Sequence, residues 1–139
     1  MNEYKFSDIK VGLTESFNTK INSSMLDKFL DISNDINPLH IDKDYAKAKG
    51  FPDRVVYGLL TSSFYSTLVG VYLPGKYCIL QGIDIQFSKP VYIDDKLNIS
   101  GKVSYINEAY KQIEIKAIIT NQDNKKVSKA TIKVGVMDE

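Results

Sequence analysis

Val55-Val56-Tyr57-Gly58-Leu59-Leu60-Thr61-Ser62-Ser63-Phe64-Tyr65-Ser66-Thr67-Leu68-Val69-Gly70-Val71-Tyr72-Leu73 runs without a charged side chain and is stopped by Pro74-Gly75. Its length approaches that of a membrane span. Five hydroxyl side chains in its middle, Thr61, Ser62, Ser63, Ser66 and Thr67, suit a helix buried in protein better than one facing lipid. The run predicts one long helix from about Gly58 to Tyr72, with so few charges that no side of it belongs in water. Such a helix must be wrapped.

The rest of the chain supplies the wrapping. After Lys76 the sequence is rich in Ile, Val and Tyr, and predicts strands over Gly82–Tyr92, Lys96–Ile106, Lys111–Asn121 and Lys126–Met137. In the third, Ile113, Ile115, Ala117 and Ile119 face one way, while Glu114, Lys116 and Ile118 face the other. Asp94-Asp95, Asn107-Glu108 and Asn121-Gln122-Asp123-Asn124 mark the turns, so an antiparallel meander is expected with one face turned to the helix. The expected fold class is α+β. No repeat, linker or low-complexity tract divides the chain, which reads as one domain over residues 1–139.

Composition excludes several functions. In 139 residues, 18 basic side chains oppose 17 acidic ones, the net charge is +1, and no block of like charge exceeds two residues. No extended field recruits nucleic acid or anionic membrane. The single cysteine, Cys78, allows neither a disulfide framework nor a thiolate metal cluster, and Met1–Lys10 has no apolar signal core. A cytoplasmic protein is expected.

The N-terminal third is where polar chemistry gathers. Ser23 or Ser24 is expected to cap a helix carrying Leu26, Phe29 and Leu30 on one face and ending near Asn34. Pro38 disfavours helix at Asn37, so Asp35-Ile36-Asn37-Pro38-Leu39-His40 reads as a shaped loop. Asp42 then caps a short helix that Gly50 stops. His40 is the only histidine, so imidazole chemistry near neutral pH has one candidate. A carboxylate and an imidazole converging on one spot can hold a water, one taking its proton while the other supplies a proton to substrate. Spacing alone favours the plainer reading, Asp35 as a helix cap and His40 as a structural hydrogen-bonding group, since short Asp and His loops are common. Asp35, His40 and Asp42 are also conceivable metal ligands, though no second cluster supports them. No Gly-x-Ser-x-Gly elbow and no glycine-rich phosphate loop occurs.

Ser33-Asn34-Asp35-Ile36-Asn37-Pro38-Leu39-His40, with Tyr45-Ala46 after it, resembles the hydratase 2 motif of the MaoC-like dehydratases, a family that includes (R)-specific enoyl-CoA hydratases. Val55-Val56-Tyr57-Gly58-Leu59-Leu60-Thr61 is similar to the family's opening of the central helix. Ile85-Gln86-Phe87-Ser88-Lys89-Pro90-Val91 and Asp94-Asp95-Lys96-Leu97 are similar to a later strand and turn, so the resemblance spans essentially the whole chain. It implies a hot-dog fold, an antiparallel sheet around a long central helix, and a homodimer paired edge to edge. It also implies Asp35 and His40 as the catalytic pair, the Gly58 N–H as oxyanion donor at a helix N-terminus, Asn37 and Tyr57 as supporting residues, and Ser66 near the site. A buried Ser66 bonding its own helix is an equal alternative. Two positions depart from the family pattern: Asn34 replaces a usual glycine, and Tyr57 a frequent histidine.

The expected activity is addition or removal of water across the 2,3 double bond of an acyl thioester, converting trans-2-enoyl-CoA to (R)-3-hydroxyacyl-CoA or the reverse. The carrier is coenzyme A or acyl-carrier protein, and neither cofactor nor metal is expected. A hot-dog acyl-CoA thioesterase and a non-catalytic acyl-thioester-binding module are the alternatives.

Overall fold

The computed structural model describes residues 1–139. Strand β1 (Thr14–Lys20) leads into helix α1 (Ser23–Ser33), followed by α2 (Pro38–Ile41), α3 (Lys43–Ala48) and α4 (Gly58–Thr67). Strands β2 (Cys78–Phe87), β3 (Lys96–Asn107), β4 (Gln112–Thr120) and β5 (Lys126–Val136) complete the chain. The five strands form one antiparallel sheet in the order β1-β3-β4-β5-β2.

That order corrects the expected meander. The turns at Asn107-Glu108 and Asn121–Asn124 do join neighbours, β3 to β4 and β4 to β5. Asp94-Asp95 does not, because β2 lies at one edge beside β5 while β3 lies three places away. The connection from Ser88 to Asp95 crosses the sheet, and the early segment Thr14–Lys20, expected only as an extended start, supplies the other edge.

The hydrophobic periods hold. Ile113, Ile115, Ala117 and Ile119 are buried against the helix, together with Ile132 and Val134 of β5 and Leu97 and Ile99 of β3. Gly101, Ala117 and Ala130 sit opposite one another on three successive strands. This row of small residues lets α4 and its extension approach closely: a Cβ on Gly101 would stand 2.7 Å from Leu68 Cδ2. The hydroxyls of α4 are satisfied locally, Thr61 and Ser62 donating to Gly58 O and Ser63 to Leu60 O. Tyr65, also buried, shares a 2.7 Å hydrogen bond with Ser128 of β5.

Two features of the central helix differ from expectation. It is α-helical only to Thr67, and Leu68–Tyr72 continue as a wider π turn, with the Leu73 N–H bonded to Leu68 O. It is also not wrapped on every side. Leu59, 67% exposed, and Ser63 and Ser66 form an open stripe at i, i+4 and i+7, because a single five-stranded sheet covers only one side of a helix. No helix is long and apolar enough to cross a membrane.

Candidate active site

The site is assembled from short-range backbone geometry between α1 and α4. Helix α1 is capped by Asn22, whose side chain accepts from Met25 N–H, rather than by Ser23 or Ser24. Asn22 already has the extended backbone a cap requires (φ −129°, ψ 165°), and both serines fall inside the helix. At the other end Asn34 adopts a left-handed conformation (φ 55°) and donates its N–H to Leu30 O. The asparagine therefore makes the turn that glycine usually makes, as its tolerance of left-handed angles allows.

The expected loop is only half loop. Asn37 is non-helical (φ −55°, ψ 125°), as the following proline demands, but Pro38 starts the helical turn α2, which contains His40. Asn37 serves both sides of this junction: its side-chain oxygen accepts from Leu39 N–H at 2.9 Å, and its own N–H donates to Asp35 Oδ1 at 3.1 Å. One carboxylate oxygen of Asp35 is thereby fixed, and the other, Oδ2, is left for chemistry.

His40 Nδ1 lies 2.7 Å from Val55 O. A carbonyl only accepts, so Nδ1 carries a proton, and in the neutral ring Nε2 is a bare lone pair. Nε2 stands 4.0 Å from Asp35 Oδ2. That is too long for a direct hydrogen bond, and it is a gap that one water can bridge with two legs of about 2.8 Å. The imidazole is largely enclosed and the carboxylate half-exposed, with side-chain exposures of 16% and 46%.

Tyr57 ties the pair together. Its hydroxyl donates to Asp35 O at 2.8 Å, and its ring stacks on His40 with centroids 4.1 Å apart at 28°. Phe29 of α1 packs on it in turn at 4.8 Å. Burial, and next the Asp35 charge, push the Tyr57 phenol above its ordinary range, so it remains a neutral donor. A neutral phenol does not replace an imidazole; this one packs against it.

Gly58 opens α4, and its N–H meets no acceptor within the protein. His40 and Gly58 wall the same cavity of about 380 Å³, together with Thr61, Phe87, Lys89 and Val127. A Cβ at Gly58 would lie 3.0 Å from the Phe87 ring, so the absence of a side chain keeps both the wall and the N–H in place. Asp35 lies beyond His40 and does not line this cavity, nor does Ser66. Ser66 is exposed on the open stripe of α4 and makes no side-chain hydrogen bond, so the structure places it neither in the cavity nor in a buried bond to its own helix.

Asp42 and Cys78 are occupied elsewhere. Asp42 Oδ1 caps α3 by accepting from Asp44 and Tyr45 N–H, and no group of three His, Cys, Asp or Glu converges to hold a metal. Burial pushes the Cys78 thiol up to about 11, which keeps it protonated near neutral pH. The sequence reading missed Val55, whose contribution is a backbone carbonyl and leaves no trace in side-chain pattern, and Lys89, which only the path of the chain after β2 brings to the cavity.

Comparison with known proteins agrees with this architecture. The MaoC like domain matches residues 8–130. The chain is 34% identical to an (R)-specific enoyl-CoA hydratase of Rhodospirillum rubrum over 99 residues, 71% of this chain and 69% of that one. It is 31% identical to the (R)-specific enoyl-CoA hydratase of Aeromonas caviae over 100 residues, 72% of this chain and 75% of that one. The unliganded R-hydratase PhaJ1 of Pseudomonas aeruginosa superposes with a TM-score of 0.91 at 25% identity, covering 97% of this chain and 86% of that one. With the family model matching most of the chain and this superposition spanning nearly all of it, the chain belongs to the MaoC-like domain family and has its hot-dog fold.

Proposed function

We propose that this protein is a hydratase/dehydratase of acyl-CoA thioesters in which Asp35 and His40 hold the reacting water. The observation that carries the assignment of residues is the 4.0 Å gap between a carboxylate oxygen and a bare imidazole nitrogen, beside an unpartnered helix N-terminal N–H. A water in the gap donates one hydrogen to each partner, which turns its lone pairs toward the substrate.

Hydration then balances within the site. The water oxygen bonds to C3 of the trans-2-enoyl thioester as His40 Nε2 takes its proton, with Asp35 stabilising the resulting imidazolium. Electron density moves to the thioester oxygen, where the Gly58 N–H and the α4 dipole meet the developing charge. The proton held by the pair returns to C2 from the side on which oxygen added. Addition is syn, and the product is the (R)-3-hydroxyacyl thioester. Dehydration is the same path reversed.

The working unit is a homodimer. Edge strand β2 offers unpaired backbone groups, and its inner face leaves Leu80, Ile83 and Phe87 uncovered beside exposed Leu59 of α4. Pairing two such edges covers these residues and closes the open side of the cavity.

Crotonyl-CoA tests the reading. Loss of the conjugated-thioester absorbance without release of thiol, with (R)-3-hydroxybutyryl-CoA as product, is expected. Thiol release from saturated butyryl-CoA at a similar rate assigns the protein to the thioesterases instead.

A further inference from the structure

Apart from the tyrosines, three residues with polar side chains are buried in the chain: Thr61, Ser62 and Ser128. Ser128 is matched by Tyr65 across the core. The other two donate their hydroxyls, each at 2.8 Å, to a single acceptor, Gly58 O. Burying a hydroxyl where alanine or valine would fit costs stability unless a hydrogen bond offsets it. Helix stability alone does not call for two of them on one carbonyl, and Ser63, on the open stripe, bonds Leu60 O singly. The doubled bond falls on the residue that walls the cavity and whose own N–H has no acceptor in the protein. The other helices are built differently: α1, α2 and α3 are each capped by a side chain, Asn22, Asn37 and Asp42, that accepts a first-turn N–H. In α4 Tyr57 makes no such bond, its hydroxyl going to Asp35 O, and the polar side chains come one turn later, aimed at carbonyls.

A glycine at this place needs holding. With no Cβ its backbone is loosely restrained, and the first residue of a helix has no intrahelical bond on its N–H. Two amide planes meet at Gly58. The one on its carbonyl side is held by the Thr61 and Ser62 hydroxyls. The one that carries its N–H is held through Tyr57 O, which accepts from Leu60 N–H at 3.1 Å and from Thr61 N–H at 3.2 Å. Thr61 therefore grips both planes, one with its backbone and one with its side chain, and it lines the cavity as well. A carbonyl that accepts hydrogen bonds polarises its own amide, so the bonds at Tyr57 O also strengthen the Gly58 N–H as a donor.

We propose that Thr61 and Ser62 are positioning residues for the reaction, their hydroxyls fixing the Gly58 backbone so that its N–H is aimed at the thioester oxygen as charge develops there. The assignment rests on the hydratase reading above and deepens it: the direction of the oxyanion donor is set by two side chains of α4 and not by the helix dipole alone.

Thr61→Val keeps the shape of the side chain without its donor, and Ser62→Ala removes the second hydroxyl. The double variant is expected to lower kcat on crotonyl-CoA about tenfold, as misdirected catalytic groups do, with KM changed less than about twofold. Either single variant is expected to lower kcat by roughly threefold, which keeps the test open should the double variant not fold. Thr61→Ser, which keeps a hydroxyl in place, is expected to recover most of the loss seen in Thr61→Val. Ser63→Ala, which removes a hydroxyl of the same helix from a different carbonyl, is expected to keep the parental kcat. The infrared stretch of an isotope-labelled thioester carbonyl in bound butyryl-CoA reads the donor without turnover. Binding to the parent is expected to lower that stretch, and the variants lacking the hydroxyls are expected to lose most of the lowering. Folded variants with parental kcat and a parental carbonyl shift overturn the proposal and leave the hydratase reading intact. A fall in kcat with the carbonyl shift unchanged, or one that follows melting temperature and is not restored in Thr61→Ser, assigns the hydroxyls to helix stability and also overturns it. If the parent hydrates no thioester the hydratase reading falls, and the carbonyl shift of bound butyryl-CoA still decides whether Thr61 and Ser62 aim the donor.

Discussion

The segment Ser33–His40, which reaches the cavity through His40, and the open face of α4 and β2, which reaches it through Phe87, are built on opposite lines. In the first, each polar side chain is anchored at one atom: Ser33 by Phe29 O, Asp35 Oδ1 by Asn37 N–H, Asn37 by Leu39 N–H, His40 by Val55 O and by the Tyr57 ring. In the second, Leu59 and Phe87 stand 67% and 55% exposed with no partner in the chain. The difference separates two tasks. Proton transfer needs groups fixed to fractions of an ångström, and one chain does that through local hydrogen bonds. A wall for an apolar acyl group tolerates looser placement, and in the proposed homodimer it is left to a second copy.

The largest effects should come from the fixed segment. Asp35→Asn and His40→Ala are each expected to lower kcat by about 10² to 10⁴ with the fold retained, the loss typical of a positioned acid or base. With both groups on one water, as proposed, the double variant is expected to lose little beyond the worse single one. Steady-state rates on crotonyl-CoA, beside circular dichroism spectra of each variant, check this; activity within about threefold of the parent assigns the pair a structural role.

The open face predicts a different kind of failure. Ile83→Lys puts a charge on the inner side of edge strand β2, a substitution of the sort that keeps sheet edges apart. It is expected to shift sedimentation from dimer to monomer and to reduce turnover without altering the Asp35/His40 geometry. If the variant is monomeric and fully active, the second copy contributes nothing to the cavity.

Tyr57 sits at the meeting of the two regions and sharpens the contrast. Tyr57→Phe keeps the ring stacked on His40 but removes the bond to Asp35 O. It is expected to cost about 1 kcal/mol of stability, the net worth of one hydrogen bond. A roughly tenfold fall in kcat, larger than that in KM, is expected from displacement of Asp35. Rates measured beside a denaturation midpoint separate the two effects.

What could be read from the sequence follows the same division. The N-terminal motif is legible because its geometry is local: Pro38 restricts Asn37, Asn34 takes the left-handed turn, Asp42 caps α3, and all of these bonds span five residues or fewer. The strand faces of β4 are legible because alternation follows from the pleat. Strand order was not, since β2 has the same alternating composition whether it pairs with β3 or crosses to β5, and only long-range packing decides. The exposure of Ser66 was hidden for a related reason. An uncharged helix looks wrapped on all sides from its sequence, and hydroxyls that bond to helix carbonyls give no sign of which side is open.

The smallest expected effect on turnover lies in the core that both regions share. Tyr65 is buried, and its phenol is pushed up to about 12, burial raising it and the hydrogen bond with Ser128 partly opposing the shift. The unfolded chain ionises its tyrosines near pH 10, so below that value Tyr65 is neutral in both states and its contribution is fully present. As pH rises from 10 toward 12 the unfolded state ionises first, is favoured, and the contribution is lost. Stability measured by urea midpoint is therefore expected to fall across this window, less steeply in Tyr65→Phe than in the parent. The variant itself leaves Ser128 without its partner at a position that water does not reach, and is expected to lower stability at neutral pH by about 1 to 3 kcal/mol. Because Tyr65 lines neither the cavity nor the open stripe, its removal is expected to leave the Asp35 and His40 geometry in place. An alkaline decline equally steep in parent and variant would instead assign the transition to the other tyrosines, of which Tyr57 is the one at the site.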